Sequence, residues 1–243
     1  MLRTLPALAV VLSLGLAGCG SAPRSDDSGT AAGSGSTTPI PSATPSRCGI
    51  VTGRLAPEAP VDVDGDGRRE MVMFGAASQC GPAYLQAGNG DDPPRVTLPA
   101  DAPPVTGIFG VRVPGRDGEL VVTRSTHPRG GFQLRVYAAE GARLVELQRG
   151  SEPLVPFVAT DVQEHPLSVD CAEDALVVTE AVAHEPAGIA YAWDVRRTTY
   201  ALDGVTLTAG PTQEIADNVL PAQLTRRWAD LVDHTAFAGC RTR

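Results

Sequence analysis

The stretch Asp62-Val63-Asp64-Gly65-Asp66-Gly67-Arg68-Arg69-Glu70 sets carboxylates at positions 1, 3, 5 and 9 of a nine-residue run. A tight turn with that spacing converges hard oxygen ligands on one cation, and calcium is the ion it indicates. Gly67 at position 6 permits the sharp turn, after which the Arg68 carbonyl at position 7 can face inward. The Arg68 and Arg69 side chains then point outward and partly offset the four acids, which would otherwise repel one another. An EF-hand is excluded, because position 12 is Met73 where a bidentate Glu is needed, and Glu70 to Phe74 reads as a strand. Asp and Gly also dominate turns for purely conformational reasons, so an ion-free surface turn is the alternative. If bound, calcium here is a structural staple, since extracellular modules hold it with affinities of about 10⁻⁴ to 10⁻³ M.

The remaining reactive residues form no such constellation. All 20 basic residues are Arg, which excludes a Walker A lysine, a Schiff-base lysine and the Ser-x-x-Lys nucleophile. His127, His165, His184 and His234 are scattered, with no His-Glu-x-x-His and no Gly-x-Ser-x-Gly. Loop polarity accounts for them, and no catalytic residue is expected. Tyr191, Trp193, Tyr200 and Trp228 are the main candidates for a sugar platform, but strand or helix periodicity assigns them to the core. A formal charge of −8 removes the cationic footprint that nucleic acid binding requires.

The elements that must position the acidic turn begin with an address. Arg3, the apolar run Leu5 to Leu16 and the small residues Ala17-Gly18 have the layout of a secretory leader over residues 1–18. Leu16-Ala17-Gly18-Cys19 resembles a bacterial lipobox, which implies a diacylated Cys19 as the mature N-terminus and a membrane partner reached through that lipid. No later stretch approaches the ~18 consecutive apolar residues that spanning needs. The expected location is the extracytoplasmic face of the cell membrane, lipid-anchored. From Gly20 to Ser46, 23 of 27 residues are Gly, Ser, Thr, Ala or Pro, too few apolar groups to offset the entropy of ordering. Residues 19–46 thus read as a lipidated cysteine and a tether, with a mean reach of roughly 30 Å for a Gly/Ser-like coil.

With Cys19 assigned to lipid, Cys48, Cys80, Cys171 and Cys240 remain, an even number for an oxidising compartment. Four cysteines allow three connectivities; Cys48 to Cys80 and Cys171 to Cys240 are favoured because each closes a loop within its own half of the domain. No Cys-x-x-Cys spacing supports zinc.

Residues 47–243 form the body. Short apolar runs bounded by Gly, Pro and Asp recur as strands: Met71 to Phe74, Ala83 to Gln86, Val105 to Val113, Glu119 to Arg124, Phe132 to Ala138, Leu144 to Leu147, Leu154 to Val158, Ala175 to Val182, Ile189 to Leu202 and Val205 to Leu207. Near-period-two alternation in Phe132 to Tyr137 and Trp193 to Thr198 points to an antiparallel, all-β domain. One C-terminal helix is expected, with Pro221 in its first turn and Leu224, Trp228 and Leu231 on one face. A turn followed by a buried strand recurs at Arg69 to Met73, Gly118 to Val122 and Asp174 to Val178, spaced by 49 and 56 residues. That period suits three to four propeller-like units, the lower limit for a closed ring.

The pattern Asp-x-Asp-Gly-Asp-Gly-x-x-acid followed by an apolar strand, here Asp62 to Phe74, resembles the FG-GAP/VCBS repeat of integrin-type propellers. The resemblance implies calcium held by the side chains of Asp62, Asp64, Asp66 and Glu70 and the carbonyl of Arg68, with Glu70 in place of the usual Asp. The later units lack the acids, so it implies one metal site only. The combined expectation is a cell-surface lipoprotein whose calcium-stapled β domain serves as a binding or envelope-structural module for a protein or glycan ligand. An extracellular hydrolase acting on polysaccharide or another envelope substrate, with paired carboxylates brought together only by the fold, is the first alternative. An inert spacer is the second.

Overall fold

The run Leu120-Val121-Val122-Thr123 is buried at every position, which a strand achieves only when both its faces are covered. The computed structural model, which describes residues 57–78, 81–126, 131–158, 166–173, 175–184, 192–232 and 236–240, shows what covers it. Three four-stranded antiparallel meanders follow one another. The first is β1 (Glu58–Val61), β2 (Glu70–Gly75), β3 (Tyr84–Ala87) and β4 (Arg95–Thr97). The second is β5 (Val105–Val111), β6 (Leu120–Thr126), β7 (Phe132–Glu140) and β8 (Arg143–Glu146). After the short strands β9 (Gln148–Arg149), β10 (Glu152–Pro153) and β11 (Phe157–Val158), the third comprises β12 (Leu167–Ala172), β13 (Ala175–His184), β14 (Ala192–Asp203) and β15 (Thr206–Val219).

The three turn-then-strand segments found in the sequence run into β2, β6 and β13, the second strand of each meander. The repeat is therefore structural, although Asp174 lies outside the described residues. Short edge pairings lace the meanders together: Arg95 with Arg143 in parallel, β11 between β7 and β12, and Thr206 with Gln148 in parallel. The result is one continuous sheet, curled into a near-barrel and a half-barrel, with a single C-terminal helix.

Alternation along β6 explains its burial. Val121 points into a core shared with Val61, Val72 and Leu85 of the first meander, whereas Leu120 and Val122 join Val169, Leu176, Val178 and Tyr200 of the third. A third cluster sets Trp193, Val195 and Val219 beneath the helix α1 (Pro221–Arg227) and the 3-10 turn Ala229–Leu231, through Leu224, Trp228 and Leu231. Pro221 occupies the first turn of α1, where its missing N–H costs nothing, and the Gln223 side-chain oxygen accepts the Leu220 N–H at 3.1 Å. Trp193, Tyr200 and Trp228 are all buried, as their periodicity requires; Tyr191 lies outside the described residues.

Cys171 and Cys240 are joined, with an S–S distance of 2.07 Å, fixing the chain end to β12. The Phe237 N–H donates to the Val169 carbonyl at 2.7 Å and the Gly239 N–H to Asp170 Oδ1 at 2.7 Å, so the crosslink sits in a bonded segment. Cys19, Cys48 and Cys80, the leader and the tether lie outside the described residues. Among the described residues no helix is long and apolar enough to cross a membrane.

Candidate functional site

The acidic turn joins β1 to β2. Val61 is buried at the end of β1, and the register pairs it with Glu70, so positions 1 and 9 of the motif stand at the neck of one hairpin. Between them the chain turns twice with left-handed backbone, at Gly65 (φ 81°) and Gly67 (φ 83°), a conformation only glycine adopts at no cost. Side chains bond back onto the turn in sequence. Asp62 Oδ1 accepts the Gly65 N–H at 2.9 Å, Asp64 Oδ1 the Asp66 N–H at 3.1 Å, Asp66 Oδ1 the Arg68 N–H at 2.7 Å, and Glu70 Oε2 the Val63 N–H at 3.1 Å.

This geometry brings together Asp62, Asp64 and Glu70, whose carboxylate oxygens lie within 4.8 Å of one another. Ligands on opposite sides of a calcium ion stand roughly 4.6–5.2 Å apart, twice the 2.3–2.6 Å bond, so three oxygens at this spacing fit around a hard cation. The other two expected ligands are placed differently. Asp66 and Arg68 are exposed, and Asp66 does not belong to the converging group. The cluster can hold a metal ion, and carboxylate spacing alone does not select calcium from other hard cations.

Sequence reasoning missed what clamps the turn. Asp62 is buried, and its Oδ2 accepts a bond from the Arg112 guanidinium at 3.0 Å. Its N–H donates to Glu119 Oε2 at 3.1 Å, while Glu119 Oε1 accepts Arg69 at 2.9 Å. Arg112 and Glu119 flank the β5–β6 turn, 50 and 57 residues away, and no local pattern marks them as partners. Backbone contact completes the join: a Cβ on Gly118 would sit 2.7 Å from the Val63 carbonyl oxygen, and one on Gly65 2.6 Å from the Gly118 nitrogen.

Asp64 and Glu70 also line a cleft of about 670 Å³ whose other walls include Arg116 and Asp117 of the β5–β6 turn and Asp203 and Gly204 of the β14–β15 turn. Arg116 donates to the Gly204 carbonyl and so ties the second meander to the third. Burial draws the Arg116 guanidinium below its ordinary pKa, with Asp117 opposing. Elsewhere, His184 Nε2 stands 3.4 Å from Asp194 Oδ1 on β13 and β14; His127, His165 and His234 lie outside the described residues. No family model, no curated protein and no solved structure matches this chain.

Proposed function

We propose that this chain is a bacterial cell-surface lipoprotein, anchored through Cys19, whose β domain binds calcium at the β1–β2 turn and acts as a binding or envelope-structural module. The observation that carries the metal reading is the convergence of the Asp62, Asp64 and Glu70 carboxylates at the mouth of a cleft. The resemblance of Asp62 to Phe74 to the FG-GAP/VCBS loop supports calcium in particular. The site's role is structural: the ion joins a buried carboxylate held by Arg112 to two that face outward, and so fixes the turn against the second meander. Three carboxylates fall short of the six to eight oxygens calcium takes, so water or ligand oxygens complete the shell on the cleft side. A protein or glycan partner would approach there.

Calorimetric titration of chelator-treated protein with calcium tests the metal reading, with Asp64→Asn beside it. Wild type should give a saturable heat of one ion per chain and the variant little or none; equal heats near zero for both would remove calcium from the account. For the anchor, Cys19→Ser should release the protein into the medium, and continued membrane retention of that variant would contradict lipidation.

A further inference from the structure

At the end of the second meander opposite the acidic turn, the core between the sheets opens into a cleft of about 450 Å³. Strand register sets out its floor. Gly107, Arg124 and Leu134 lie side by side in one row, Phe109, Val122 and Val136 form the row toward the core, and Thr126 and Phe132 stand at the open end. Alternation along β6 sends Leu120 and Val122 into the core, so the next position on that face calls for another apolar side chain. It is Arg124. The guanidinium lies 4.3 Å over the Phe132 ring, and among the described residues no carboxylate is bonded to it.

Gly107 is the second anomaly. A glycine inside a strand is explained by left-handed backbone, by a neighbour too close for a Cβ, or by a bulge. Gly107 lies at a bulge between Val105 and Gly107, where the strand bends. Its φ lies outside the left-handed range and a Cβ would sit 3.7 Å from that of Arg124, in ordinary contact, so a side chain would fit there. The glycine at this bulge also leaves space beside the cation.

We propose that this cleft binds a small aromatic carboxylate. The Arg124 guanidinium takes the carboxylate with two parallel N–H donors, and the Thr126 hydroxyl, two positions along the same face, adds a third. The ring lies among Phe109, Phe132, Leu134 and Ala236, in a volume ordinary for a small-ligand site. In a chain of net charge −8, an exposed guanidinium on an aromatic face selects an anion that also has apolar surface to bury.

The probe is 2-naphthoate, titrated into the full-length protein by calorimetry, with the neutral 2-naphthylmethanol as comparison. The acid should saturate at one per chain and bind at least about tenfold more tightly than the alcohol, as a charge-assisted pair predicts. Arg124→Gln should abolish that preference. Gly107→Val, which suits a strand and has room, should keep the fold by circular dichroism and lose both ligands. No saturation, or an unchanged preference in Arg124→Gln, or undiminished binding in Gly107→Val, would overturn the assignment.

Discussion

Glu119 accepts the Asp62 N–H on one carboxylate oxygen and Arg69 on the other, so a single buried acid from the second meander fixes the backbone and side chains of the first. That arrangement was invisible in the sequence because ion pairing at a separation of 50 residues leaves no local pattern, whereas the carboxylate spacing of Asp62 to Glu70 was legible because the ligands share one turn. Two further residue-scale outcomes follow from the polar face of β7 and β8. Glu146, bonded to Arg135 at 2.8 Å, has its carboxyl raised above the ordinary 4.5, chiefly by burial and against the pull of Arg135. From 4.5 upward, over the raised interval, the folded chain keeps a proton that the unfolded chain has released. The stability from this group is therefore present below that window and lost as pH rises through it. The unfolding free energy of wild type minus that of Glu146→Gln should thus fall across this window in urea titrations at stepped pH; a flat or rising difference would contradict it. Beside it, the buried Tyr137 hydroxyl faces Thr123 and Arg135 but among the described residues makes no well-aligned hydrogen bond. Tyr137→Phe should leave stability unchanged or raise it by up to about 1 kcal/mol, and a loss of that size would reveal a bond.

Among elements, the strands with strong β-branched or aromatic content were legible, as was the helix opened by Pro221. β15 beyond Leu207 was not. Thr208-Ala209-Gly210-Pro211-Thr212 has low strand propensity, and Gly-Pro reads as a break, so only Val205 to Leu207 was expected as strand. The structure carries the strand through by a register shift between Thr198 and Tyr200, which sets Gly210 and Pro211 at a bulge opposite Thr199. β1 and β12 were also missed: the first is short and contains Pro60, and the second is rendered polar by Ser168 and Asp170. The turn joining β5 and β6 supplies the sharpest test at this scale. Gly118 has φ 76° and no space for a Cβ against Val63, whereas Gly204 has φ 58° and open space. Gly118→Ala should cost about 2–4 kcal/mol and Gly204→Ala about 1–2 kcal/mol in equilibrium unfolding. Equal costs would show that the two turns do not meet.

At the scale of the molecule, three meanders share two cores through β6, and their joints are narrow: a single parallel pair at Arg95, another at Thr206, and β11 between two larger strands. The spacing of the repeats was readable because each meander begins its second strand with the same turn-to-apolar step. The lacing was not, because each joint spans only one or two residues. The Cys171–Cys240 bond closes 69 residues of the third meander and the chain end. By loop-closure entropy that is worth about 4 kcal/mol to the third meander, whereas the first and second are joined through the acidic turn by Arg112 and Glu119.

A cation that binds the folded turn and not the unfolded chain must shift the unfolding equilibrium toward the folded state. The unfolding midpoint in urea, measured for wild type and Asp64→Asn in excess calcium and in chelator, tests this directly. Calcium at a hundredfold excess over its dissociation constant should stabilise wild type by about 2.7 kcal/mol and leave Asp64→Asn unmoved. A wild-type midpoint the same in calcium and chelator, or an equal shift in both proteins, would contradict it.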